Sequence, residues 1–188
     1  MKKINDYFIL VFFILIFIIS YIFDNNVNSF FKHVKLPVID AVLSIITNFG
    51  VVVLVMVLIP AVILFKNNRK AAYLIFFTFA VSFILAFVIK LIVLRQRPIE
   101  AFTYPFTGII NYSFPSMHAM VAFSLLPVMV KHLQKQKIFF IMFAFLVAFS
   151  RIYFGVHFLS DVVFGAFAGY FIGKYLLELH EKKKLWVK

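Results

Sequence analysis

Six side chains in this 188-residue sequence are of types that do chemistry and fall in three short stretches: Lys90, Arg97, His118, Arg151, His157 and Asp161. In the first stretch, Lys90-Leu91-Ile92-Val93-Leu94-Arg95-Gln96-Arg97-Pro98, the Lys and the second Arg are two helical turns apart. A helix through them projects both from one face. Pro98 ends such a helix, because the residue before a proline leaves the helical region. The same cations also suit anchors that snorkel to a membrane boundary. In the second stretch, Ser113-Phe114-Pro115-Ser116-Met117-His118 leads into an apolar run, with Ser116 placed as an N-cap. A helix N-terminus offers free N–H groups and partial positive charge to an anion, although an ordinary capped helix is the simpler reading. In the third stretch, His157 and Asp161 are spaced i and i+4, so on a helix their side chains meet. A carboxylate there fixes the imidazole tautomer and stabilises its protonated form. A buried structural pair, or two ligands of a metal, fits that spacing too.

The elements that must position these groups are set by composition. The chain is 64% hydrophobic and 14% charged, with 28 Phe, whereas soluble domains average about 45–50% apolar and ~25% charged. That excludes a soluble enzyme, a nucleic-acid module and a disordered chain. The 19 Lys and Arg against 7 Asp and Glu therefore read as a topology signal rather than as affinity for nucleic acid. With no Cys, disulfide and thiolate chemistry are excluded.

A bilayer crossing needs about 20 apolar residues, and the sequence predicts six crossings. They are Tyr7–Phe23, Phe49–Phe65, Ala71–Ile89, Ser116–Val130, Ile138–Phe149 and Phe158–Leu177. The first follows Lys2 and Lys3 but no small-residue cleavage site follows it, so it reads as a retained membrane helix. The stretch from Asp24 to Asn48 is a connection. Its second half, Leu36–Asn48, alternates apolar and polar residues and predicts a short interfacial helix. The fold class is thus an all-α membrane protein, a six-transmembrane-helix bundle with an interfacial helix between spans 1 and 2. It forms one domain over 1–188 with a motif-bearing core of about 49–177.

If the spans alternate, thirteen cations fall on one side, which the positive-inside rule makes cytoplasmic together with both termini. The other six are Lys32, Lys35, Lys90, Arg95, Arg97 and Arg151. Most of these sit at span ends on the outer face, against the rule, and cations placed there ask for a function. The three stretches so bring several cations, two His and one Asp to one depth on the extracytoplasmic side.

Lys90-x6-Arg97-Pro98, then Pro115-Ser116-Met117-His118, then Ser150-Arg151-x5-His157-x3-Asp161 resembles the three-part signature of the type 2 phosphatidic acid phosphatase (PAP2) family. The family's second motif is usually Pro-Ser-Gly-His; Met117 replaces the Gly, keeping the backbone N–H but adding a side chain. The resemblance implies a lipid phosphatase of the cell membrane that works through a phosphohistidine intermediate. Lys90, Arg97 and Arg151 would hold the phosphoryl oxygens, with Ser116 and the Met117 N–H completing the cradle. His157, oriented by Asp161, would be the nucleophile and His118 the acid for the leaving group. No metal and no cofactor are implied, because the cations already supply the charge. The partners are the bilayer and a phosphorylated membrane lipid, with undecaprenyl pyrophosphate, phosphatidylglycerophosphate and phosphatidic acid as candidates.

Two other classes compete. A transporter, or a channel, would use the cations to bind an anion in transit, but it predicts charges deep in several spans, and these spans are nearly bare. A non-catalytic membrane protein that binds an anion or lipid would let Lys, Arg, His and Asp positions drift, yet all are present. A metal-dependent hydrolase using His118, His157 and Asp161 is a chemical variant. Gly165, Gly169 and Gly173 form a small-residue stripe that suits close packing within the bundle before a dimer face. Arg95 is an extra cation that fits an anchor or a headgroup contact equally.

Overall fold

In a computed structural model of the chain, which describes residues 2–98 and 112–186, all regular structure among the described residues is helical. The helices are α1 Lys2–Ile22, α2 Asp24–His33, α3 Pro37–Thr47, α4 Phe49–Asn67, α5 Arg69–Val93, α6 Met117–His132, α7 Lys137–Tyr153 and α8 Leu159–Trp186. Three of them, α4, α5 and α8, are long and apolar enough to cross a bilayer. The pair α1–α2, bent by 54° at Phe23, adds a fourth when it is counted as one broken span. α6 and α7 are shorter, at 16 and 17 residues. Large apolar side chains such as Ile18, Ile22, Phe77, Ile84, Phe139 and Phe145 face outward, as expected where the surrounding solvent is lipid.

The span in α4 carries Pro60, which lacks an N–H and whose ring would clash with the carbonyl four residues back. The chain answers with a π-helical turn over Leu54–Leu58, in which the Ile59 N–H reaches the Leu54 carbonyl. Val52, Met56, Ile75, Leu125, Met129 and Phe140 form the core between α4, α5, α6 and α7.

The packing that matters most for the site is α6 against α8. Ser116 N donates to the Asp161 carbonyl (3.1 Å) where the two helices begin, and Lys131 pairs with Glu181 towards their other ends. They therefore run parallel, with both N-termini at the same end of the bundle. The glycine stripe makes this possible. A Cβ at Gly165 would lie 2.7 Å from the Ser116 carbonyl, and one at Gly169 or Gly173 would collide with the Met120 or Ser124 carbonyl. The stripe serves packing within the bundle.

Two expectations are corrected here. The connection after the first span is more ordered than the alternation in its second half implied. Asp24–His33 is itself a helix, and the predicted interfacial helix follows as Pro37–Thr47, with Pro37 in its first turn. The helix through Lys90 stops short of Arg97: Leu94 takes the left-handed conformation (φ 53°) and donates to the Lys90 carbonyl. This is the αL stop that Gly usually provides, and it acts before Pro98 can.

Candidate active site

The three stretches meet at the end of the bundle where α6 and α8 begin. Lys90, in the last turn of α5, is 2% exposed. Its Nζ donates to the carbonyls of Tyr112 (2.5 Å) and Ser113 (3.4 Å), so it ties the end of α5 to the segment that enters α6. Arg97 lies in the extended chain beyond Leu94, not two turns along a helix from Lys90. Its Nη1 donates to the Val156 carbonyl (2.7 Å), one residue before His157. Arg151, in the last turn of α7, donates from Nη1 to Thr47 Oγ1 (2.5 Å) at the end of α3. Lys90 lies within electrostatic reach of Arg97 and Arg151, and all three lie within reach of His157.

His157 stands in the turn between α7 and α8, not on the last helix as its spacing to Asp161 suggested. Gly155 allows that turn by taking φ 68°, a conformation that costs any other residue. The imidazole is 2% exposed. Burial, then the charges of Lys90, Arg97 and Arg151, hold its pKa well below the ordinary value, so it is neutral at physiological pH. A neutral ring keeps a lone pair for attack.

His157 Nδ1 lies 3.6 Å from Asp161 Oδ2, beyond hydrogen-bond distance. Asp161, in the first turn of α8, is instead held by several donors at once. Its Oδ2 accepts from the Phe158 N–H (2.9 Å), the reach-back half of a capping box, and from Ser113 Oγ. Its Oδ1 accepts from Arg95 Nη1 at 2.7 Å. Asp161 is thus fixed beside His157, within one small shift of bonding it.

Arg95 proves to be neither a plain anchor nor free for a headgroup. It bridges two buried carboxylates, Asp161 and Asp24, both at 2.7 Å, and also donates to Ser160 Oγ (2.7 Å). Its guanidinium sits 4.0 Å from the centre of the Phe158 ring. Asp24, at the bend between α1 and α2, further accepts from the Ser160 N–H (2.8 Å) and hydroxyl (2.6 Å). The first helix is in this way clamped to the helix that carries Asp161.

Ser116 occupies the N-cap position of α6, but its side chain makes no capping bond, in contrast to the expectation. Its Oγ is buried without a hydrogen-bond partner, as is His157 Nδ1. Buried polar atoms are seldom left so. The first N–H groups of α6, Met117 among them, point to the same end with the positive pole of the helix. Met117 itself is ordinary right-handed helix, since positive φ among the described non-Gly residues occurs only at Leu94. Its side chain packs on the main apolar core. His118 follows, its ring 5.1 Å edge-on from that of Phe49 and hydrogen-bonded to the Thr47 backbone. It lies within electrostatic reach of His157 and Arg151.

Among the described residues no three His, Asp or Glu side chains are grouped to hold a metal ion, so His118, His157 and Asp161 do not assemble as a ligand set. Four cations, two buried carboxylates, a neutral imidazole and an uncapped helix N-terminus do assemble. That combination suits an anion that gains charge as it reacts.

The sequence reading passed over Asp24, Thr47 and Ser160. Asp24 carried the one available signal: a carboxylate directly after an apolar span, at the depth of the unexplained cations.

Comparison with known proteins agrees with this geometry. Residues 70–185 match the PAP2 superfamily. Phosphatidylglycerophosphatase B of Bacillus subtilis (strain 168) is 31% identical over 156 residues, which is 76% of this chain and 75% of that protein. The crystal structure of a transmembrane PAP2-type phosphatidylglycerolphosphate phosphatase from Bacillus subtilis superposes with a TM-score of 0.71 at 26% identity. It covers 92% of this chain and 96% of its own. LpxE of Aquifex aeolicus shares the fold, with a TM-score of 0.66 at 23% identity over 82% of this chain and 94% of its own. By the match of its motif-bearing half, its identity to a curated relative and its fold, this chain belongs to the PAP2 superfamily.

Proposed function

We propose that this protein is a lipid phosphatase that removes phosphate from a monoester or diphosphate on a membrane lipid at the outer face of the cell membrane. The observation that carries the reading is the neutral, buried His157 among Lys90, Arg97 and Arg151. His157 attacks phosphorus in line, and charge that builds on the non-bridging oxygens meets the two Arg, the Lys and the α6 N-terminus. Asp161 orients the imidazole and balances its positive charge as the phosphohistidine forms. His118 protonates the leaving oxygen, then deprotonates the water that releases phosphate. No metal is required by this scheme. The relatives, phosphatidylglycerophosphate phosphatases by name, favour phosphatidylglycerophosphate as substrate, with undecaprenyl pyrophosphate and phosphatidic acid as the other members of the class.

In this reading all six crossings exist. α6 and α7 are about 24–26 Å long at 1.5 Å per residue, close to the hydrocarbon thickness, and polar turns complete them. An even count puts both termini on one side, and the thirteen cations that share that side make it the cytoplasm. A topology reporter inserted at Asn67 is expected to read cytoplasmic and one at Leu36 external; the reverse pattern would overturn the orientation and the placement of the site together.

The function is tested by phosphate release from phosphatidylglycerophosphate, undecaprenyl pyrophosphate and phosphatidic acid, using purified protein in detergent with and without a chelator. Release from at least one lipid, unaffected by the chelator, is expected. Release from none would end the reading, and loss restored by zinc would replace the metal-free scheme.

The exchange Met117→Gly is expected to leave turnover within about threefold, because both residues present the same N–H. Thermal stability should fall, since side-chain packing on the core is lost. A rise of about tenfold on every lipid, ~1.4 kcal/mol of transition-state stabilisation, would show instead that Met117 restrains catalysis.

A further inference from the structure

Two of the six outer cations, Lys32 and Lys35, play no part in the phosphoryl cradle. They line a cavity of about 380 Å³ beside it, between α2 and the turn that carries Gly155. Arg97 lines the same cavity, and its Nη1 bond to the Val156 carbonyl places that wall one residue from His157. No carboxylate is among the described residues of the lining. Asn28, on the α2 side, has both its side-chain amide atoms buried without a hydrogen-bond partner. Three cations, an unsatisfied amide and no acid describe a site for an anion.

We propose that this cavity binds a second phosphate group of the substrate, so that the enzyme prefers lipids in which the reacting phosphate is joined, directly or through a short polyol, to another phosphate. The inference rests on the lipid-phosphatase reading above. The shared Arg97 is what ties the two sites: it lines the cavity together with Lys32 and Asn28 and bonds the carbonyl of the residue before His157. Lys35 also serves the fold, donating to the Tyr153 carbonyl (2.5 Å) and lying over that ring at 4.4 Å. Lys32 is exposed and so is the position to vary. α2 thereby gains a role in selecting substrates, and its first residue, Asp24, is held by Arg95.

The test compares kcat/KM on phosphatidylglycerophosphate with that on phosphatidic acid, which has the same tail and a single phosphate. Wild type, Lys32→Gln, Asn28→Ala and Lys32→Arg are assayed in the same detergent. The ratio is expected to fall about threefold or more in Lys32→Gln and Asn28→Ala, chiefly through KM, and to be retained in Lys32→Arg. A smaller change in the ratio, whether both rates hold or fall together, would overturn the subsite and leave general attraction to an anionic surface. An unchanged ratio with weaker inhibition by inorganic phosphate would reassign the cavity to free product. Absence of wild-type release from either lipid would instead defeat the phosphatase reading on which the subsite depends.

Discussion

His157→Ala is expected to abolish phosphate release, by about 10³-fold or more, which is ~4 kcal/mol of transition-state stabilisation, while the protein stays folded in detergent. The size follows from the role: without the imidazole no covalent intermediate forms, and the cations and helix N-terminus alone can favour only direct attack by water. The fold should tolerate the change because His157 lies in a turn and loses only its bond to the Ser113 backbone, its Nδ1 having no partner. Phosphate release and the thermal unfolding midpoint are measured on the same preparation. Retention of a tenth or more of wild-type turnover would remove His157 from the nucleophile's role.

The second large effect is structural. Arg95→Ala leaves Asp24 and Asp161 buried with no cation bonded to either, and breaking a buried ion pair by deleting one partner typically costs about 3–5 kcal/mol. The expected result is a strongly lowered unfolding midpoint or failure to accumulate in the membrane. Arg95→Lys should rescue little, because an ammonium cannot present two separate N–H groups in a fixed fork to two carboxylates. Removing the charge at Asp24 as well, in Asp24→Asn/Arg95→Ala, should recover part of the loss. A midpoint within a few degrees of wild type for Arg95→Ala would show that the bridge holds nothing together.

The contrast between these two variants marks what was legible in the residues. Lys90, Arg97, Ser116, His118, Arg151, His157 and Asp161 could be named because each sits in a short motif whose spacing survives folding. Their gathering at one end of the bundle also followed from counting spans. The local geometry was less accessible. Arg97 reads as helical from its spacing to Lys90, and only the left-handed turn at Leu94 removes it from the helix. His157 reads as helical from its spacing to Asp161, yet Gly155 bends the chain before the helix begins. Asp24 and Arg95 are 71 residues apart, and no periodicity links them. A single polar side chain after an apolar run carries no mark of its tertiary partner. The glycine stripe announced a close approach, but not that its partner would be α6 running in the same direction.

That parallel pairing explains how a chain so poor in polar residues builds a polar site. Two helix N-termini arrive together, one closed by Asp161 and Asp24 and the other left open at Ser116. The closed end supplies rigidity and the open end supplies N–H groups for the substrate.

Whether His157 itself takes the phosphoryl group is decided by trapping the intermediate. Purified protein is mixed with a lipid whose terminal phosphate carries a radiolabel, quenched in alkali within milliseconds to seconds, and digested. Label is expected on the peptide that contains His157, stable to alkali, released by acid, and absent from the His157→Ala protein. Label on another residue would contradict it.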